Sequence, residues 1–203
     1  MNATATRMSA AERREQILDA AVEEIALQGF RSATTAAIAA RAGISQPYVF
    51  RFFPTKKDLV LAVIERSSRR ILTDWEAAEP MPGEGRLDTL GRTYVERLPS
   101  RRAELLVQLH GYAGGEDPDV AEAARACWTR IYRYVVSTLR AEGNPDPEAA
   151  AAAFMARGMV ITMAMAIGLE SDLTTTEWAS LCSKSGIARV EDRLGPSGAP
   201  AAS

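Results

Sequence analysis

Apolar residues recur three and four positions apart along most of this 203-residue chain, and no segment shows a convincing two-residue strand alternation. That periodicity restricts the chain to packed helices. The first stripe is Ile17, Leu18, Ala21, Val22 and Ile25, on a helix expected from about Ser9 to Gln28. Ser9-x-x-Glu12 has the spacing of a capping box, in which each residue satisfies a backbone N–H of the other. Gly29 is suited to stop the helix, because a left-handed exit costs glycine little, and Phe30 anchors the exit.

A short helix, "AAIAARA", follows, capped by Thr34 or Thr35, with a small apolar face of Ile38, Ala39 and Ala42. Gly43 breaks it and Ile44 offers a buried plug. Ser45 caps a third helix, "QPYVFRFF", with Pro47 in the first turn, where its missing N–H costs nothing. Pro54 keeps that helix short. Thr55-x-x-Asp58 caps a long fourth helix that runs through about Trp75. Further helices are expected near 86–98, 101–113, 118–142, 146–170 and 175–187, separated by Pro99, Gly114–Gly115 and "GNPDP". The expected fold is all-α: a three-helix unit containing a helix-turn-helix over residues 1–54, ordered from about residue 9, then a helical body over 55–190 and a flexible tail over 191–203.

The net charge is −2, unevenly spread. The first sixty residues hold eight Lys/Arg against six Asp/Glu, and the rest sixteen against twenty. A mildly basic head on an acidic body hints at an anionic partner for the head. Cys127 and Cys182 fit neither a metal spacing nor a disulfide framework, and the N-terminus lacks an apolar signal core, so a reducing cytoplasm is the expected setting. Residues 151–169 are long enough to span a membrane, but Arg157 lies within them, and a helix buried by protein on several sides is expected instead. With His110 as the one histidine, and with no metal motif, phosphate-binding glycine loop or nucleophile elbow, neither an enzyme nor a bound metal or cofactor is expected.

"SQPYVFRFF" packs three Phe, one Tyr and one Arg into nine residues. Val49 and Phe53, four apart, face inward with Ile38 and Ile44. A unit this small cannot also bury Gln46, Tyr48, Phe50, Arg51 and Phe52, so part of this surface needs a partner. A DNA major groove is wide enough to admit such a helix.

Residues 13–61 resemble the DNA-binding domain of the TetR family of bacterial transcriptional repressors. The resemblance rests on Thr34, Ile38, Ala39, Ala42, Gly43, Ser45, Val49, Phe53, Lys56 and Leu59, in one continuous stretch. It implies a homodimer on a pseudo-palindromic double-stranded operator, and a small hydrophobic or aromatic effector in the C-terminal bundle that shifts the fourth helix and releases DNA. The DNA-facing set it implies is Thr34, Thr35, Ser45, Gln46, Pro47, Tyr48, Phe50, Arg51, Phe52, Lys56 and Lys57. Four positions depart from the family pattern: Phe50, Phe52, Pro47, where a Gly or small residue is common, and Lys57, where an acidic residue is usual. Phe50 stands where Tyr is usual and Phe52 where Tyr or His is usual, and neither Phe can hydrogen-bond a phosphate. Lys56 and Lys57 open the fourth helix, where cations are locally unfavourable unless a phosphate docks on them.

In the body, Trp75, Tyr94, Leu106, His110, Trp128 and Tyr132, with the stripe Met155, Met159 and Met163, suit an adaptable apolar pocket for that effector. Ala149, Ala153, Ala156, Val160, Ala164 and Ile167 form an opposing small-residue face, expected to make the dimer together with the last helix.

Overall fold

The structure is a computed structural model, and it describes residues 8–169 together with 172 and 177. Among the described residues there are eight α-helices and no strand: α1 (Ala10–Ser32), α2 (Thr35–Arg41), α3 (Gln46–Phe50), α4 (Lys56–Ala77), α5 (Arg86–Arg97), α6 (Arg102–Ala113), α7 (Pro118–Ala141) and α8 (Pro147–Ala166). A 3-10 turn, Pro99–Arg101, precedes α6. The helix expected near 175–187, the tail over 191–203 and Cys182 lie outside the described residues.

The helix starts follow from local side-chain chemistry. Ser9 and Glu12 form the reciprocal capping box of α1, and Thr55 and Asp58 form that of α4. Thr34, not Thr35, caps α2, its hydroxyl accepting from Ala37 N at 3.1 Å. Gly29 adopts φ 74°, so the regular part of α1 ends there, and Phe30–Ser32 add one further turn. The Ala33 N–H then closes on the Gly29 carbonyl at 3.1 Å.

The chain folds into two compact units. One holds the chain up to Ala78 and then Pro99–Arg133; the other holds Glu79–Leu98 and the chain from Tyr134 on. In the first unit, α1 packs on α2, α4 and α6, and α3 packs on α2. Its core joins Ile17, Leu18, Val22 and Ile25 of α1 to Ile38, Val49, Phe53, Leu59 and Val63, and extends to Val107, Val120 and Cys127. A chain of ion pairs runs along the same helices. The buried Arg66 of α4 binds Glu15 at 2.8 Å and also Asp19 of α1, and Arg70 joins Asp19 to Glu104 of α6. These contacts link α1, α4 and α6 through partly exposed pairs.

In the second unit, Thr89, Leu90, Val135, Leu139, Ala151, Phe154 and Met155 are buried. The Tyr94 hydroxyl lies 2.6 Å from Thr162 Oγ1, which links α5 to α8. Glu142 accepts from the Arg86 N–H at 2.8 Å and so ties the end of α7 to the first turn of α5. Glu84 organises the turn before α5, accepting from Met81 N, Thr89 Oγ1 and Arg92.

Candidate DNA-binding interface

The four-residue connection between α2 and α3 depends on Gly43 at φ 65°, a left-handed conformation with open space around the missing Cβ. The Ile44 N–H closes back on Ala39 O at 3.0 Å. The α3 helix is shorter than expected, ending at Phe50; Val49 and, three residues past its end, Phe53, whose N–H still donates to Val49 O at 3.0 Å, seal the inner side. This makes a helix-turn-helix, with α3 in the place of the helix that enters a groove.

The outer side of α3 is built from aromatic and polar contacts. Ser45, Gln46, Pro47, Phe50 and Arg51 are exposed. Tyr48 meets Phe52 edge-on with ring centroids 5.5 Å apart, and the Arg51 guanidinium sits 5.2 Å from the centre of the Tyr48 ring. Phe52 is half-buried and packs against the core, which holds Tyr48 in place from behind. Arg14 covers the Phe53 ring at 5.0 Å.

Thr35 lies beneath this surface, 8% exposed, and its hydroxyl accepts from Gln46 Nε2 at 2.7 Å. Lys56 donates to the Arg31 carbonyl at 2.7 Å, so its charge sits at the C-terminal end of α1 as well as at the N-terminus of α4. Lys57 is paired with Asp119 at 2.7 Å and Asp117 at 3.3 Å. The hydrogen bonds that Lys57 donates to Asp119 and then Asp117 raise its pKa above the ordinary lysine value. Burial opposes ionisation of Asp117, but hydrogen bonds from Lys57 and from the backbone N–H groups of Val120 and Asp119 outweigh it and lower its pKa. Arg31 pairs with Glu116 in the same loop. The partners of Lys57 and Arg31 therefore come from the protein itself, from the loop before α7 and its first turn, which charge distribution alone did not connect to the head.

The residues expected around an effector fall into both units. Trp75, Leu106, His110, Trp128 and Tyr132 belong to the first; Tyr94, Met155, Met159 and Met163 belong to the second. Within the first, Trp128 meets Tyr112 edge-on at 5.7 Å, a partner the helical spacing did not bring out. Gln108 donates to the Tyr112 hydroxyl at 2.6 Å, and burial raises the pKa of that phenol. His110 instead turns toward α1, with its ring 6.1 Å from Phe30 and Nε2 3.4 Å from Ala26 O. It lines an open cavity of about 800 Å³ with Phe30, Lys56, Lys57, Val60 and Val120. Trp75 is buried, and Met155 is buried on α8.

On α8, Ala149, Ala153, Ala156 and Val160 are exposed, as is Ile167, the residue that follows the helix at its C-cap. The neighbours at 163 and 164 exchange the roles expected from their spacing: Met163 is 53% exposed and Ala164 is 1% exposed. The outward row is therefore Ala149, Ala153, Ala156, Val160, Met163 and Ile167. By length and composition alone α8 could cross a membrane, and 33% of that stretch is buried within the chain.

The fold and this surface define a helical protein with a helix-turn-helix head at its N-terminus. Residues 17–63 match the family described as "Bacterial regulatory proteins, tetR family", so the chain carries an N-terminal domain of that family. Over 131 residues it is 27% identical to the HTH-type transcriptional repressor KstR of Rhodococcus jostii, covering 64% of this chain and 52% of that protein. Over 65 residues it is 40% identical to the HTH-type transcriptional activator FasR of Mycolicibacterium smegmatis, covering 32% of this chain and 30% of that protein. The chain thus aligns with about half of the first relative's length and under a third of the second's. A TetR-like transcriptional regulator from Rhodococcus sp. RHA1 has a similar fold, with a TM-score of 0.63 and 25% identity over 80% of this chain and 88% of that one.

Proposed function

We propose that this protein is a ligand-responsive transcriptional repressor that binds a pseudo-palindromic operator as a homodimer and leaves it when a small hydrophobic effector binds. In this reading residues 1–54 are the DNA-binding head and 55–190 the effector-binding and dimerising body, and the protein works in the cytoplasm. The observation that carries it is the outer surface of α3, where Gln46, Pro47, Phe50 and Arg51 are exposed over a sealed inner side. Side chains at the start of such a helix reach base edges, while nearby cations meet phosphates. The apolar outward row of α8 supports a second copy as partner, because exposed apolar faces of this kind are usually covered. Within the first unit, the half-buried Leu106, Trp128 and Tyr132 support an apolar effector site.

The match to FasR, an activator, favours one second reading, in which the same head recruits transcription rather than blocking it. A gel shift on the DNA flanking the protein's own gene, with specific and random competitors, tests operator binding. Reporter transcription from that DNA, with and without the protein, separates repressor from activator. An absence of any DNA preferred over random duplex would sink both readings. Once an effector is identified, Trp128→Ala should keep operator binding and lose the response; a normal response puts the site elsewhere.

A further inference from the structure

We propose that Thr35 is a positioning residue that holds the Gln46 side-chain amide for reading adenine in the major groove. This rests on the DNA-binding reading above and names what one position of α3 would recognise. Gln46 opens α3, at the end of the helix from which side chains reach base edges. Its side chain has three rotatable bonds and, left alone, can present its amide either way round. In the orientation observed, Nε2 points at Thr35 and donates one proton to its hydroxyl at 2.7 Å.

The geometry has a chemical consequence. A glutamine amide has two N–H donors and one carbonyl acceptor. With one N–H spent on Thr35, a paired acceptor and donor remain: Oε1 and the second N–H. Adenine presents the complementary pair, the N6 amino group as donor and N7 as acceptor. Guanine presents two acceptors at the same edge, so Oε1 would face a carbonyl without a proton between them. Thr35 can exert this control because it is itself fixed: it is 8% exposed, in the first turn of α2, and the hydrogen bond crosses the turn between the two helices. If the bond merely tidied the packing of α2 on α3, losing it would cost stability and leave base preference untouched.

Selection of preferred duplexes from a randomised library by the full-length protein gives the test, scored as base preference at each position. The wild type should enrich a half-site with an adenine whose preference disappears in Gln46→Ala. Thr35→Val, which keeps shape and removes the hydroxyl, should lower that one adenine preference on the order of tenfold and leave the other positions alone. Thr35→Ser should restore it. Should Thr35→Val fail to fold by circular dichroism, Gln46→Glu carries the test, since it alters only an exposed side chain. A carboxylate accepts but cannot donate, so the preference at that position should pass from adenine to cytosine. An unchanged adenine preference in a folded Thr35→Val, or in Gln46→Glu, overturns the proposal while DNA binding stands. No enriched sequence with the wild type overturns the DNA-binding reading itself.

Discussion

The Lys57 ammonium stands 2.7 Å from the Asp119 carboxylate, 62 residues further along the chain. This pair, with Asp117 at 3.3 Å, links the first turn of α4 to the start of α7 within one compact unit. Lysine here is an added positive charge at the edge of the head, and its ammonium is already paired with two carboxylates.

Freeing Lys57 should therefore strengthen the sequence-independent part of DNA binding. The double variant Asp117→Asn/Asp119→Asn is expected to bind random duplex more tightly and to steepen the salt dependence by up to about one counterion. Fluorescence anisotropy over a range of KCl concentrations measures both. Identical slopes for the variant and the wild type would mean that Lys57 does not reach the phosphates.

Base reading and phosphate contact should separate by residue. Gln46→Ala and Tyr48→Ala are each expected to reduce the preference for operator over random DNA by about 1–3 kcal/mol. Lys56→Ala should weaken both kinds of DNA alike and flatten the salt slope by about one phosphate. A specificity ratio unaffected by Tyr48→Ala in a folded protein would remove Tyr48 from the reading surface.

The exposed row of α8 should tolerate a charge only in a monomer. Ala156→Glu is expected to give a folded monomer with poor operator affinity, because two half-sites need two heads. Sedimentation velocity reads the mass directly, and an intact dimer would exclude this face. Ala164→Glu is expected to behave differently: at a buried position it places a carboxylate in the core and should destabilise the fold.

Glu84 gives a pH-dependent prediction. Its hydrogen bonds, first from Arg92 and then from the Met81 N–H, lower its pKa to about 2. A carboxylate depressed in the folded state stabilises that state above its unfolded value, near 4.3, and loses the contribution as pH falls toward 2. The stability difference between the wild type and Glu84→Gln should be largest near neutrality and close between about pH 5 and pH 2. Denaturant unfolding at a series of pH values checks it, and a constant difference would show that the charge is not what matters.

Much of this fold is legible in the sequence because helix ends are local chemistry. The pairs Ser9–Glu12 and Thr55–Asp58 lie three residues apart and need no tertiary structure to meet. The inward pair Val49 and Phe53 follows from helical geometry and apolarity in the same way. The tertiary fold decided the rest. Thr35 looked like a surface cap until the α2–α3 turn set it under Gln46, because the approach of two helices is not encoded in the periodicity of either. His110 turned to Phe30, 80 positions away, because α6 packs along α1. The α8 helix carries apolar residues on opposite sides, so hydropathy could not choose between a step from Val160 to Met163 and one to Ala164. Successive residues on a helix differ by about 100°, and only packing against the rest of the protein sets which of the two turns inward.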